Sequence, residues 1–331
     1  MTVTHGPPRP RPARAYEGPT YYDRATVKPS PFNWTVAAYI FVGGVAGAAQ
    51  IISAIADFAG DKEVKPVVGT GRYLALAGTV LGPPLLIADL HTPSRWYNML
   101  RIFRATSPMS IGSWILMAFG GFAGTTAAAH AADQLAGRRT GLFRKTARIA
   151  QVPAALAGAG MTFYTGALLA ATSTPLWAAA PRLLASRFAA ASMAAAAAML
   201  ALIEGRGGRS LAARRLNDLA ALATAAELAF ARASDRAWRE SGVDSALHEP
   251  PYALAYKGAA EFAGTVVPLA LYGLDRMAFR SGSASRAASL ALIAGSVVLR
   301  QAILYAGNES ARRPRDYLAF TQAEQPSPKP A

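Results

Sequence analysis

The stretch from residue 83 to residue 114 holds the side chains best suited to chemistry. An apolar run ends there in Asp89, His91 and Arg95, and a loop rich in Pro, Ser, Trp and Tyr leads to a second apolar run that opens at Ile111. A carboxylate, an imidazole and a guanidinium can together hold a polar headgroup and exchange protons with it. The pattern is typical of a membrane hairpin with a polar mouth.

Other ionisable residues fall in or beside apolar runs. A charged group within a membrane span costs roughly 2.5 to 3.5 kcal/mol on insertion scales, so it persists mainly where it faces a cavity or a partner. Beyond the mouth, the residues of this kind are His130, Asp133, Asp218, Glu227, Glu261 and Arg300. We take His130, Asp133 and Glu261 as candidates for a proton path across the membrane.

Structural roles are open for the same residues. Asp89 could cap the turn that follows it or pair with the nearby arginine. His130 and Asp133 could form a pair three residues apart on one helix face. Glu227 and Arg300 could neutralise each other inside a helical bundle.

The composition favours a membrane protein over a soluble one. Of 331 residues, 52% are hydrophobic and only 16% are charged, and the mean hydropathy is +0.21. The apolar residues are clustered in runs of about twenty, the length that crosses a hydrocarbon core. We therefore expect an all-α, polytopic transmembrane helical bundle.

Several classes of cofactor and partner are excluded by residue counts. The chain has no cysteine, so it cannot hold an iron–sulfur cluster or a structural zinc ion through thiolates. Its four histidines, which are His5, His91, His130 and His248, are not placed as axial ligands on facing helices, so we expect neither haem nor another metal. The net charge of +15 comes mostly from the tails and the loops between apolar runs, and we expect no nucleic-acid binding.

The apolar runs predict about eight spans in one bundle. They are residues 34–56, 72–90, 111–132, 149–171, 183–203, 211–231, 253–274 and 287–306. The sixth is the least regular because it contains Asp218 and Glu227. In the first, Gly43, Gly44 and Gly47 favour close packing against a neighbouring helix. The resulting domains are a basic, Pro- and Tyr-rich arm (1–33), the bundle (34–307) and a C-terminal tail (308–331).

The charges of the loops predict the orientation. The loops after the third, fifth and seventh spans, at 138–148, 206–215 and 276–286, are clearly basic. By the positive-inside tendency these loops are cytoplasmic. Both termini and the mouth at 89–114 then face outward.

Several short motifs resemble one known family. They are Trp34…Tyr39-x-Phe41-x-Gly43-Gly44-x-x-Gly47, Asp89-Leu-x-x-Pro93-x-Arg95, Ser107-Pro-Met-Ser-x-Gly-Ser-Trp114, Tyr164-Thr-Gly-x-Leu-Leu169 with Pro175-x-Trp177, and Arg300…Gly307-x-x-Ser310. In this order they resemble the NrfD/PsrC family, the membrane subunits of polysulfide-reductase-like enzymes. The most specific of them is the string from Ser107 to Trp114.

The resemblance implies a function as well as a fold. It implies eight transmembrane helices in a bacterial or archaeal cytoplasmic membrane and a site for menaquinone or ubiquinone near one surface. It implies that the subunit carries no redox cofactor of its own. It also implies docking to a ferredoxin-like iron–sulfur subunit, often joined to a molybdopterin catalytic subunit.

The resemblance, combined with the mouth, gives a candidate quinone site. In the family, polar residues at the start of the first helix and a tyrosine of the fourth line the quinone, which matches Asn33 and Tyr164. The expected headgroup ligands are therefore Asn33, Asp89, His91, Arg95 and Tyr164. Some members carry a histidine one turn beyond the asparagine, where this chain has Ala37. We therefore expect His91 or Asp89 to exchange protons with the quinone, and count Asp89, His91 and Tyr164 as the catalytic candidates.

Two alternatives belong to other functional classes. A secondary transporter would agree with helices broken at Pro83, Pro84 and Pro268, although the two halves show no internal repeat. A purely structural membrane anchor with a degenerate site is the other alternative, for which Ala37 is the only hint.

Overall fold

The computed structural model of the protein describes residues 27–137, 141–206, 210–279 and 282–321. Most of the predicted arm (1–26) and the end of the predicted tail (322–331) lie outside these residues. The described chain is helical, with no strand in these ranges.

The helices follow the predicted spans closely. In chain order they are α1 (Trp34–Ala59), α2 (Lys65–Ala88), a 3₁₀ helix (Pro93–Leu100), α3 (Pro108–Leu135), α4 (Leu142–Ala170), α5 (Pro175–Ala178), α6 (Pro181–Glu204), α7 (Leu211–Glu240), α8 (Ser245–His248), a π-helical segment (Leu254–Val266), α9 (Val267–Leu274), a second π-helical segment (Asp275–Phe279), α10 (Ser283–Arg312) and α11 (Pro314–Thr321). The prediction of an all-α membrane bundle is confirmed.

Within the described ranges, six helices are long and apolar enough to cross a membrane. They are α1, α2, α3, α4, α6 and α10. The sixth predicted span lies within α7, which carries charged residues along its 30-residue length. The seventh is divided between the π-helical segment Leu254–Val266 and α9, so neither part alone has the required length. The count of eight spans stays a prediction.

The helices form two groups of four. In the first half, α1 contacts α2 and α4, and α3 contacts α2 and α4. In the second half, α6 packs on α7, and α10 packs on α6 and on residues 254–274. The two halves meet where α6 contacts α1 and α4.

Glycines allow the closest of these contacts. A Cβ on Gly47 would lie 2.3 Å from the carbonyl oxygen of Gly158, so α1 and α4 approach backbone to backbone. A Cβ on Gly264 would lie 2.4 Å from the Cα of Gly295, which joins α10 to the seventh predicted span in the same way. The packing role predicted for the glycines of α1 is confirmed.

Polar caps fix where two of the spans begin. The Oδ1 atom of Asn33 accepts hydrogen bonds from the backbone N–H of Thr35 at 2.7 Å and from its hydroxyl at 2.6 Å, which starts α1. The Oγ atom of Ser107 accepts from the backbone N–H of Ser110 at 3.3 Å, which starts α3. We call the end of the bundle that holds Asn33, Asp89 and Ser107 the mouth end. The opposite end, with the basic loops, is the basic end.

Candidate functional site

A narrow cavity of about 60 Å³ lies in the first half at the mouth end. It is enclosed by the first turns of α1 and α3 and the last turns of α2 and α4. Apolar side chains form most of its wall, among them Phe32, Val36, Ile40, Leu86, Leu168 and Leu169. Its polar lining includes Tyr39, Asp89, Ser113, Tyr164 and Thr165. An apolar slot with a few convergent polar groups is the usual form of a small-molecule site.

Asp89 follows the last residue of α2 and is partly buried beside the cavity. Its Oδ1 atom is buried and has no hydrogen-bond partner among the described residues. Burial raises the pKa of the Asp89 carboxyl, against smaller opposing effects of the Asn33 backbone N–H and of His91. A buried acceptor without a partner is costly in a folded protein, which indicates a group that meets a ligand.

Tyr164 enters the cavity from the last part of α4. Its hydroxyl donates a hydrogen bond to the carbonyl oxygen of Pro108 at 2.7 Å. Its ring lies against Gly112, where an added Cβ would be 1.9 Å from the ring atom Cζ. Three residues of the 107–114 motif thus have local structural roles. The Ser107 side chain caps α3, the Pro108 carbonyl accepts the hydrogen bond from the Tyr164 hydroxyl, and Gly112 leaves room for the Tyr164 ring.

Tyr39 is a cavity residue that the sequence interpretation did not include. The residue is 3% exposed, and its hydroxyl is close enough to Tyr164 for the two to interact electrostatically. That hydroxyl makes no hydrogen bond to a described residue. Its presence in the first motif was the available signal, but an aromatic residue near a span end suggests an interfacial anchor.

The structure separates the five predicted headgroup ligands. Asp89 and Tyr164 line the same cavity. Asn33 is exposed at its rim, and its side-chain oxygen is occupied in capping α1. His91 and Arg95 are exposed on the loop beyond the cavity, and no ion pair joins Arg95 to Asp89. His91 remains near enough to Asp89 to affect its carboxyl electrostatically.

Two of the proton-path candidates lie at the basic end of the first half. Nδ1 of His130 accepts from Arg72 at 3.1 Å, and Arg72 also donates to Gln151 at 2.7 Å. Asp57 lies 3.4 Å from the same guanidinium. Asp133 pairs with Arg144 at 3.6 Å. This is a polar cluster about one bundle length from the cavity.

The third candidate, Glu261, belongs to a buried network in the second half. Its carboxylate is 3.5 Å from Arg187 and 3.4 Å from Arg232. Arg187 donates to the hydroxyl of Tyr256 at 2.5 Å, and that hydroxyl donates to Asp235 at 2.6 Å. Within this network Arg187 is 1% exposed and Glu261 is 6% exposed, so the charges must satisfy each other.

Glu227 and Arg300 lie in the same half and interact electrostatically, as the sequence suggested. No ion pair within 4 Å joins them, however. Arg300 donates instead to the hydroxyl of Ser192 at 2.9 Å and to the carbonyl oxygens of Ser296 at 2.8 Å and Phe188 at 3.3 Å. Glu227 also interacts with Arg187, so the pair is part of a wider cluster.

The family described as Polysulphide reductase, NrfD matches residues 24–310, which is most of the chain and includes the whole cavity. No curated protein matches the chain. Among the described residues, no group of three or more His, Asp or Glu side chains is placed to hold a metal ion.

Proposed function

The chain belongs to the NrfD polysulphide reductase family, and on that basis we propose that it is the quinone-reactive membrane anchor of a multi-subunit oxidoreductase. Membership in the family implies a multi-pass membrane subunit of a quinone-linked oxidoreductase complex. The quinone is proposed to bind in the cavity at the mouth end. Electrons then pass between this quinone and an iron–sulfur partner docked over the cavity.

The single observation that supports this site most is the unpartnered Asp89 oxygen beside the cavity that the Tyr164 phenol also lines. A quinone presents two carbonyl oxygens on an apolar ring. The apolar walls of the cavity suit the ring, and Asp89 can deliver or accept a proton. The Tyr39 phenol can donate to a carbonyl, and the Tyr164 phenol can do so by exchanging the Pro108 carbonyl for the quinone oxygen. The cavity is small, so a headgroup would enter from the lipid side and spread the lining residues.

The chemistry has to balance two electrons with two protons. When a quinone is reduced to a quinol, the partner subunit supplies both electrons and each ring oxygen gains one proton. Asp89 supplies the two protons one after the other from within the cavity and regains each from the surface through His91, which lies outside. Tyr164 holds the second oxygen. Asn33 is proposed as a rim donor through its side-chain NH₂, whereas the orienting role expected for Arg95 has no contact to support it.

The site is tested by substituting two of its polar residues, Asp89 and Tyr164. We expect Asp89→Asn to reduce quinone turnover of the intact complex by at least about tenfold, since general acid–base catalysis typically contributes 10² to 10⁴. Tyr164→Phe should chiefly raise the KM for quinone. Glu240→Gln is a matched control, because Glu240 is an exposed carboxylate at the same end of the bundle. Full turnover by Asp89→Asn would refute the relay role.

The partner is proposed to dock at the mouth end. Members of the family assemble with iron–sulfur and molybdopterin subunits, and the 89–114 loop exposes large apolar side chains beside arginines. The exposed apolar residues there include Trp96, Tyr97, Ile102 and Phe103. A pull-down of the tagged full chain from its native membranes, with iron analysis and quinone extraction, should recover a cysteine-rich chain and quinone. A chain recovered without either, but able to take up a solute, would favour the transporter instead.

Coupling to proton transfer is a further part of the proposal. The network around Glu261 is buried and continuous over several ionisable groups, whereas Asp133 is held in an ion pair near the surface. We therefore expect Glu261→Gln to reduce any proton release coupled to turnover more than Asp133→Asn does. Unchanged proton release in both variants would remove the path.

A further inference from the structure

A second, much larger cavity lies at the basic end of the second half. Its volume is about 760 Å³, within the range of roughly 300 to 1,000 Å³ usual for ligand sites. It is bounded by the last turn of α6, the first turns of α7 and α10, and the end of α9. No residue of this cavity lines the quinone cavity at the mouth end.

The polar rim of the cavity carries unneutralised positive charge. Arg214, Arg276 and Arg286 line it, against Asp218 and Asp275. Arg276 is hydrogen-bonded to Asp218. Asp275 accepts hydrogen bonds from the first residues around α10, at 3.0 Å and 2.8 Å, so its charge is engaged there.

Two arginines of the rim have no carboxylate partner among the described residues. Within the same part of the chain, Arg286 donates only to the backbone carbonyl of Gly205, at 3.2 Å. Arg214 is exposed and donates to no described residue. A guanidinium presents a planar set of donors that matches phosphate oxygens, so two such groups on one rim favour a phosphate-bearing ligand.

The inner wall of the cavity is mostly apolar. Leu202, Leu269 and Ala221 form its walls, and the Tyr272 hydroxyl is already paired with Ser289 at 2.8 Å. Ser289 lies six residues beyond the start of α10, so the cavity extends roughly 9 Å below the helix ends at 1.5 Å per residue. A free anion would find partners only at the rim, whereas a lipid would also fill the apolar depth.

We propose that this cavity binds an anionic phospholipid, with the phosphate at Arg214 and Arg286 and the glycerol and upper acyl chains against the apolar walls. Basic pockets between transmembrane helices are a known mode of recognition for anionic headgroups. The cavity joins α6, α7, α9 and α10, so a bound lipid would hold together the ends of the second half.

The test is native mass spectrometry of the purified chain in neutral detergent, titrated with phosphatidylglycerol or with phosphatidylcholine. We expect phosphatidylglycerol adducts at about tenfold lower lipid concentration than phosphatidylcholine adducts, and Arg214→Gln/Arg286→Gln should reduce that preference to less than about twofold. The control Lys145→Gln/Arg206→Gln removes two exposed charges at the same end, outside the cavity, and should keep the preference.

Several results would overturn the proposal. The first is an equal affinity of the unaltered chain for the two lipids. The second is a loss of the lipid preference in the control variant as large as in Arg214→Gln/Arg286→Gln. The third is displacement of phosphatidylglycerol by inorganic phosphate at equal concentration, which would indicate a free-anion site. The single variant Arg214→Gln guards against misfolding, because Arg214 is exposed and bonds to no described residue. It should lose part of the preference with an unchanged thermal unfolding midpoint.

Discussion

The two halves of the bundle arrange their polar groups differently. The first half has them at its ends, with Asp89 and Tyr164 at the mouth and the Arg72 cluster at the basic end. The second half has charged groups at its basic end and, in addition, a network enclosed between its helices, in which Arg187 and Arg300 are at most 1% exposed. Helices of similar length and composition therefore build two different electrostatic interiors.

This difference suits the first half to ligand binding and proton exchange, and the second half to stability. A carboxyl at a helix end can exchange protons with the surface and meet a ligand from the lipid, as the unpartnered Asp89 oxygen indicates. A charge enclosed between helices meets no ligand from the lipid and reaches the surface only through its neighbours, so its partners must come from neighbouring helices. We infer that substitutions in the first half act mainly on quinone turnover, and those in the second half mainly on stability.

The largest effect is expected from Arg187→Met. The change leaves Glu261 and the Tyr256–Asp235 pair without their shared cation, and removal of one partner from a buried charge network costs about 3–5 kcal/mol. Chemical denaturation in detergent measures it. Arg236→Met on α7 is the control, since its ion pair with Glu240 is exposed, and it should unfold like the unaltered chain. A loss below about 1 kcal/mol for Arg187→Met would show that the network is not what holds the second half together.

The next effect separates activity from stability in the first half. Gly112→Ala puts a methyl group where the Tyr164 ring lies, so the ring has to move away from the Pro108 carbonyl. A misplacement of about 1 Å can cost on the order of 10²-fold in rate, and we expect quinone turnover to fall between tenfold and that value.

Gly120→Ala supplies the matched comparison for this prediction. Both glycines lie in α3, so each substitution by alanine raises the intrinsic helix propensity by the same amount, about 1 kcal/mol. Unlike a Cβ on Gly112, a Cβ on Gly120 meets nothing within 4 Å. We expect Gly120→Ala to keep full turnover. Equal turnover in the two variants would show that the position of Tyr164 is not critical for quinone chemistry.

The sequence was sufficient for the elements and for part of the cavity. Runs of about twenty apolar residues marked the spans, and antiparallel neighbours bring the end of the second span beside the start of the third. Asp89 and Tyr164, which line one cavity, were chosen from the sequence because each lies within about a turn or two of a span end. Span counting places such residues at a common membrane surface.

The sequence could not predict which neighbours of Asp89 share its cavity. His91 and Arg95 are close to it in the chain, but α2 ends at Ala88 and the following loop carries both to the surface. Tyr39 lines the cavity because of the way α1 is oriented about its own axis. The positions of apolar runs in the sequence do not determine that orientation. The partners of Glu261 lie 29 to 74 residues away, and such long-range contacts leave no local pattern.

A smaller loss of stability is expected from Arg72→Gln at the basic end. Arg72 is buried, but its partner Asp57 also accepts from Gln151 at 2.6 Å and lies 3.3 Å from Arg148. Because those contacts survive, the loss should be about 1.5–3 kcal/mol, the size of a hydrogen bond to a charged group. Denaturation of this variant beside Arg187→Met compares the two halves directly. If Arg72→Gln is the more damaging of the two, the contrast between the end of the first half and the interior of the second fails.

The smallest effect concerns the pH dependence of stability at Asp89. Burial raises the pKa of this carboxyl in the folded chain, so the folded state binds the proton more tightly than the unfolded state. Stability is then highest below the unfolded pKa of about 3.9 and is lost as the pH rises through the folded pKa. Asp89→Asn removes this slope, whereas Glu240→Gln should keep it, and thermal unfolding across pH 4 to 8 distinguishes them. If the pH dependence of stability is unchanged in Asp89→Asn, another group is responsible for it. That result would contradict the inference that the Asp89 carboxyl holds a proton inside the cavity.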